Sequence, residues 1–357
     1  MAQKRVVSRV NVVSGSAQRL ASDRWQILRK AVLSSSKCKE GGEEQRQGAH
    51  VTASSVRSFS SFGLFTVTQH FPVKVNCFGK SKGFIGDSEQ KLLVSNRDSS
   101  SLATEQWYHY TATVDRSSIL NAVYKCKTDD PTISVDVVVK YVSEETSLKT
   151  LTGFNNTGNV CVWPSEEVMA YYCLKHLEMF CGSNICELGG GMTSLSGLVL
   201  ASTHLPSKVL LTDGNQKSVD NVKEIISANH SSVGVDVSAE VILWDQSFLA
   251  KPSVHDSSFD YILCADCLFF TEVHSELVQV IFKLLNCGGE ALIFAPRRSG
   301  TLEQFCSIAS EYFDLQTATR YDDIVWLKHE EALHKVGGHY KVDLHYPIMV
   351  LLKKMIK

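Results

Sequence analysis

From about Asn155 to its end the chain alternates short apolar runs with segments of helical period. "SNICEL" is followed by a helix over Thr193–Thr203, and "SKVLLTD" by one over Gln216–Asn229. "SAEVILW" and "FDYILCAD" continue the series, the latter with a helix to about Leu285. "GGEALIFA" precedes the helix "TLEQFCSIASEYF", and "YPIMVLLKK" closes as a last apolar strand. Strands separated by helices pair in parallel, with the helices as crossovers on both faces. Before the first strand, "PSEEVMAYYCLKHLEMF" reads as an amphipathic helix opened by Pro164 and Ser165, with two acids in its first turn. The expected fold is therefore α/β: a doubly wound, Rossmann-like sheet.

Upstream, the pattern differs. Residues 1–20 are basic and free of acid, consistent with a disordered tail or a short targeting segment. "SDRWQILRKAVL" (Ser22–Leu33) has a capping serine and one apolar helical face. "SFSSFGLFTVTQ" and "TISVDVVVKYV" alternate as strands, with an ill-ordered insertion at about 79–106 between them. This divides the chain into a tail (1–20), an N-terminal helix and β extension (21–154), and the main α/β domain (155–357).

Composition narrows the function classes. A net charge of −2 gives no global pull toward nucleic acid, and no apolar run approaches the length of a membrane span. The eleven cysteines are an odd count without framework spacing, read as reduced thiols of a cytoplasmic or nuclear protein. Cys264 and Cys267 form a CxxC with no second ligand pair, so no metal site is expected.

The chemistry concentrates in "NICELGGGMTSLSGL". Gly189, Gly190 and Gly191 follow the first strand, at the carboxyl end where open α/β sheets bind ligands. Ser194 stands where the third glycine of a dinucleotide fingerprint belongs, and no phosphate-loop lysine is present. Glu187, immediately before the turn, would repel a pyrophosphate but suit S-adenosylmethionine, which carries a sulfonium and an ammonium and no phosphate. Asp213, in "LLTDGN" with Gly214 and Asn215, ends the second strand, where a carboxylate can accept from ribose hydroxyls; it could equally cap the next helix. Trp244 and Asp245 end the third strand, where an indole can stack on adenine and an acid can accept from its amine; a core indole beside a surface acid is the other reading. "CADCLF" puts Asp266, Phe269 and Phe270 beside the place of a reactive methyl.

Six blocks carry a resemblance: "FNNTGNVCVWPSEEVMAYYCLKH", "CELGGGMTSLSGL", "VLLTDGNQKSVDNV", "ILCADCLF", "IFAPRRSGTLEQFC" and "LHYPIMVL". In order and spacing they resemble the calmodulin-lysine N-methyltransferase family, within the seven-strand class I methyltransferases. The resemblance runs from about Phe154 to Lys357, with weaker likeness in "RWQILRKAVL" and "SVRSFSSFGLFTV". It implies S-adenosylmethionine (AdoMet) as methyl donor, a calmodulin lysine as acceptor, and a sheet of seven strands whose last two form an antiparallel hairpin. By position it implies a cofactor site lined by Glu187, Gly189, Gly191, Asp213, Trp244 and Ala265, with Trp163 covering it. The wider group carries D-x-x-Y or D-x-x-F after the fourth strand, and Asp266–Phe269 is the Phe form.

The groups suggest how such a transfer would run. The attacking lysine must be neutral although free lysine titrates near ~10.4, so an apolar pocket and a nearby sulfonium would help it lose its proton. Asp266 is expected to orient the amine, and Phe269 to face the growing methylammonium. Arg297 and Arg298, in "APRRS", are expected on the rim, with at least one meeting calmodulin carboxylates. The partner expected is calmodulin, with no nucleic acid or membrane, and the chain a monomer. A methyltransferase of another protein lysine, or a silent binding protein of this fold, are the alternatives.

Overall fold

The computed structural model describes residues 61–70, 105–115, 132–142 and 161–355, except 231 and 337. The tail 1–20, the Ser22–Leu33 helix and most of the 79–106 insertion lie outside the described residues.

The main body is a sheet of seven strands: β4 (Asn184–Leu188), β5 (Lys208–Asp213), β6 (Asp236–Val241), β7 (Phe259–Ala265), β8 (Leu285–Ala295), β9 (Phe313–Ala318) and β10 (Ile348–Lys354). Their order is β6-β5-β4-β7-β8-β10-β9. β6 through β8 pair in parallel, while β10 runs antiparallel to both β8 and β9. The antiparallel final pair matches what the resemblance implied. From β4 the chain winds outward one way to β6, then returns to β7 and winds the other way. The switch point therefore lies between the carboxyl ends of β4 and β7, where a crevice opens.

β4 and β7 are central and largely buried, which is why apolar residues dominate both, Ile185 and Cys186 in one and Ile262–Cys264 in the other. Helices α1 (Pro164–Lys175), α2 (Leu195–Ser202), α3 (Gln216–Ala228), α4 (Gln246–Leu249), α5 (His274–Leu284), α6 (Thr301–Ala309), α7 (Asp323–His334) and α8 (Val342–His345) complete the domain. The amphipathic reading of the first of these is corrected: Pro164 through Leu174 are all buried. α1 packs on α2, β7 and β8, while a second sheet covers its other side.

That second sheet is antiparallel, β1 (Thr66–His70), β2 (Glu105–Asp115) and β3 (Thr132–Val142) in that order. β2 replaces the end of the expected insertion. Its Tyr110, Ala112 and Val114 alternate inward, with Thr111 and Thr113 between them. β3 sends Val135, Val137 and Val139 inward. It is tied to α3 by side-chain bonds to backbone: Asn229 both accepts from and donates to Val138, and Asn221 Nδ2 donates to the carbonyls of Lys140 and Met192.

Sequence reading also missed β9 and α7. The helix expected to reach Phe313 stops at Ala309, and Phe313 begins β9. α7 is capped by Asp322, whose Oδ1 accepts from the amides of Ile324 and Val325. Among the described residues no helix is long and apolar enough to cross a membrane. Seven described cysteines are free thiols.

Candidate functional site

β4 ends at Leu188 and the chain turns through Gly189 and Gly191, at φ +68° and +60°. These angles suit glycine alone at no cost. A Cβ on Gly189 would also lie 2.9 Å from Cys267 Sγ and 3.0 Å from two ring atoms of Trp244. The indole thus rests on the turn itself. Trp244 does so from a loop: β6 stops at Val241, three residues earlier than sequence reading placed its end.

The turn and the first turn of α2 are bound by carboxylates of the protein. Gly191 N–H donates to Asp213 Oδ2 at 2.9 Å. Leu195 N–H and the Thr193 hydroxyl donate to Glu166 Oε1, at 2.9 and 2.6 Å. Gly197 N–H donates to Glu187 Oε2 at 2.9 Å. A helix N-terminus behind a glycine turn ordinarily offers such amides to a phosphate. Here they are taken, and a phosphate would meet the carboxylates of Asp213 and Glu166 instead.

These placements revise two readings. Glu187 is 1% exposed and turns into α2, so it supports the turn from beneath rather than facing out of it. Burial, with Glu166 adding to it, pushes its carboxyl up to about 8, against the opposing amides of Gly197 and Ser196. Its Oε1 has no hydrogen-bond partner. The missing third glycine is present after all, displaced to Gly197. A Cβ there would stand 2.9 Å from Glu187 Oε2 and closer still to Leu211 Cδ2, so Gly197 is what lets α2 lie on the sheet.

Asp213 accepts twice, from Gly191 and, at 2.8 Å, from Asn215 N–H. Burial raises its carboxyl to about 6 despite these amides. It does not cap α3; Asn215 does, accepting from Lys217 N–H, with Gly214 between them. Asp245 caps α4, taking Phe248 N–H at 3.0 Å and the Ser247 hydroxyl at 2.7 Å. Trp163 is the half-buried residue preceding α1, and Ala265 the last residue of β7.

Beyond β7, Asp266 stands in left-handed backbone, φ +57°, with its amide on the Phe294 carbonyl. Its carboxylate is buried, and Oδ2 accepts from Arg298 Nη2 at 2.8 Å. The rim position expected for Arg298 is therefore corrected: its side chain is 14% exposed and turned inward to this acid. Arg297 does face solvent, paired with Glu303 at 3.1 Å. Phe269 and Phe270 are half-buried, their rings 4.7 Å apart and tilted by 55°. Cys267 of the CxxC is a staple here: its thiol lies 3.4 Å from the Leu188 carbonyl and 3.3 Å from that of Ala265 and shares its one hydrogen between them, joining β4 to β7. Among the described residues no group of His, Cys, Asp and Glu could hold a metal ion.

Three supporting residues escaped sequence reading. Glu166 holds α2, as above, and its neighbour Glu167 accepts the amides of Phe62 and Leu64. Paired acids at a helix start look like dipole partners, and only burial shows them as clamps. His274 is fully buried, with Nε2 3.1 Å from the Leu268 carbonyl; burial lowers its pKa, so the neutral ring donates and holds the loop carrying Phe269.

Residues 143–312 match a family described as lysine methyltransferase. The chain is 36% identical over 211 residues to the calmodulin-lysine N-methyltransferase of Arabidopsis thaliana, covering 57% of this chain and 67% of that one. Among solved structures it is similar to a methyltransferase from Pyrococcus furiosus (TM-score 0.37, 16% identity, 53% of this chain and 83% of that chain). It is also similar to an S-adenosylmethionine dependent methyltransferase from Mesorhizobium loti (TM-score 0.36, 13% identity, 52% and 98%).

Proposed function

The chain belongs to the calmodulin-lysine N-methyltransferase family, and from that premise we propose that it methylates the side-chain amine of a lysine in calmodulin, up to the trimethylated form, with AdoMet as donor. The observation that carries the donor is the occupancy of the turn's amides by Asp213, Glu166 and Glu187. A pyrophosphate cofactor would find the amides of Gly191, Leu195 and Gly197 already bonded, whereas a cationic one finds acids. The residues fit AdoMet: Gly189, Gly190 and Gly191 would admit its amino-acid end, Asp213 and Asn215 its ribose, and Trp244, Asp245 and Ala265 its adenine, with Trp163 covering it. Asp213 keeps lone pairs for ribose hydroxyls because each of its oxygens accepts a single amide.

When bound, AdoMet supplies an electrophilic methyl on a sulfonium. The chain's part is to deliver a neutral, aligned amine. Phe269 and Phe270 supply the apolar wall that disfavours the ammonium form. Asp266 Oδ1, buried and without a partner in the free protein, would accept an amine hydrogen once substrate displaces what covers it. The π faces then tolerate the methylammonium product. Alignment of amine, methyl and sulfur does the rest, since orientation alone can supply several kcal/mol. Arg297, exposed at the ligand end of β8, is the basic group offered to an acidic substrate.

The test is incubation with purified calmodulin and AdoMet, followed by intact mass. Increments of one to three methyls, formed much more slowly by Asp266→Asn, support the reading. AdoMet binding without methylation of calmodulin would direct the search to another protein lysine. Loss of AdoMet binding altogether would mean a silent domain.

A further inference from the structure

The ion pair beyond β7 is expensive to keep. Asp266 and Arg298 are withdrawn from water, and each has a buried atom without a partner: Oδ1 of the acid and Nη1 of the arginine. Apolar residues of similar volume are often as stable as such a pair, or more so. The backbone that presents the arginine is unfavourable too. Arg298, Ser299 and Gly300 have φ of +44°, +57° and +98° in succession, and Asp266 itself has +57°. That turn is held from behind, where Asp343 Oδ2 of α8 accepts Ser299 N–H at 2.9 Å. Strain of this kind persists where function requires a geometry.

We propose that Arg298 is a positioning residue for methyl transfer: it occupies Oδ2 of Asp266, restricts the rotation of the carboxylate, and leaves Oδ1, buried and unpartnered in the free protein, for the substrate amine that displaces its cover. The inference rests on the reading that Asp266 faces that amine. A carboxylate's terminal torsion is broad, so an unsupported aspartate would not hold one oxygen toward the reacting nitrogen. A guanidinium is planar and carries its donors in a rigid fork, so its bond to Oδ2 anchors that oxygen and narrows the torsion left to the carboxylate. A lysine would return the charge and lose the plane. Asp343 acts one step further out, through the Ser299 amide.

The experiment is steady-state methylation of calmodulin by Arg298→Met, with AdoMet affinity by calorimetry and melting temperature on the same preparation. A group misplaced by about 1 Å costs about 100-fold, so kcat should fall by roughly 10- to 100-fold while KM for calmodulin and the AdoMet Kd stay within about twofold. Arg298→Lys should recover part of the rate. Guanidinium added below denaturing concentration should raise the rate of Arg298→Met and leave Asp266→Asn unchanged. Because losing the arginine strands a buried carboxylate, Asp266→Asn/Arg298→Met provides a second arm: its rate should equal that of Asp266→Asn alone. An unchanged kcat in Arg298→Met overturns the inference, as does a defect confined to KM, which would make Arg298 a docking residue. Multiplicative losses in the double variant overturn it as well. Full turnover by Asp266→Asn would sink the reading of Asp266 and this inference together. An inactive Asp266→Asn beside a fully active Arg298→Met sinks the inference alone.

Discussion

Glu187→Gln should make the protein more stable at neutral and alkaline pH, although it removes a carboxylate that binds a helix N-terminus. Two opposing effects meet at this side chain. The amides of Gly197 and Ser196 favour the ionised form, and a helix end adds about 0.3–1 kcal/mol, up to ~2 in buried geometry. Against them stand complete burial and the neighbouring Glu166, and the penalty for a buried ion is still several kcal/mol after relaxation. Burial wins, and the folded carboxyl titrates at about 8 against 4.5 for the free group. The sign follows from linkage. Between those two values the folded state holds a proton that the unfolded state has lost, so stability falls as pH rises. The fall is about 1.4 kcal/mol per pH unit, on the order of 3 kcal/mol by pH 7 and about 5 above pH 8. Glutamine mimics the protonated acid: its oxygen can accept Gly197 N–H while its amide takes the place of Oε1, which has no partner in either case.

Urea unfolding of both proteins at intervals from pH 4.5 to 9 isolates this residue together with its coupling to Glu166, because titrating groups that do not interact with Glu187 cancel in the difference. The variant's advantage should be near zero at the acid end, grow through the window and level off above about pH 8. Parallel profiles would refute the reasoning, since Glu187 would then titrate as an exposed acid does. A variant less stable at alkaline pH would refute it in the other direction, by showing that the helix amides outweigh burial. A cationic donor over the turn should favour the ionised acid, so AdoMet affinity should rise with pH across the same window in the native protein and stay flatter in the variant.

Gly197→Ala should destabilise by roughly 1–3 kcal/mol, because the added methyl would meet Leu211 and Glu187 and must push α2 off the sheet; a melting temperature unchanged within error would contradict the close packing. Asp213→Asn should weaken AdoMet binding by about tenfold or more through the lost charge-assisted bonds to ribose, while the turn keeps one of its two amide bonds; calorimetry showing native affinity would remove the ribose role. Glu167→Ala should leave the amides of Phe62 and Leu64 without acceptors, at about 1–3 kcal/mol, and raise hydrogen exchange there before elsewhere. Exchange that rises uniformly instead would mean Glu167 supports the whole domain.

What could be read from the sequence depended on whether a residue's meaning lay in its neighbours along the chain or across space. β4, β5, β7 and β8 were legible because each carries a short buried apolar run, as in Val209–Leu211, Ile262–Cys264 and Ala291–Ala295, and the glycines marked the turn because φ near +60° to +70° needs them. β2 and β9 were not, since each has only one buried face and carries threonine, glutamine or aspartate on the other. The acids show the difference most clearly. Glu187 drew attention for the charge it would set beside a ligand, yet it lies beneath the turn and is held largely protonated at neutral pH by its burial. The inference toward a cationic donor still stands, on other ground. It rests on which amides are already bonded, and Glu166, far off along the chain and unremarked in that role, supplies part of that occupancy. Arg298 is the same lesson with the opposite outcome: a basic dipeptide past a strand suggested a surface for an acidic partner, and only one of the two arginines faces outward. Its positive φ and its bond to Asp266 are long-range facts that no local pattern encodes. Charge read in sequence thus identifies which residues must find a partner, while the fold decides whether that partner is a ligand or the protein itself.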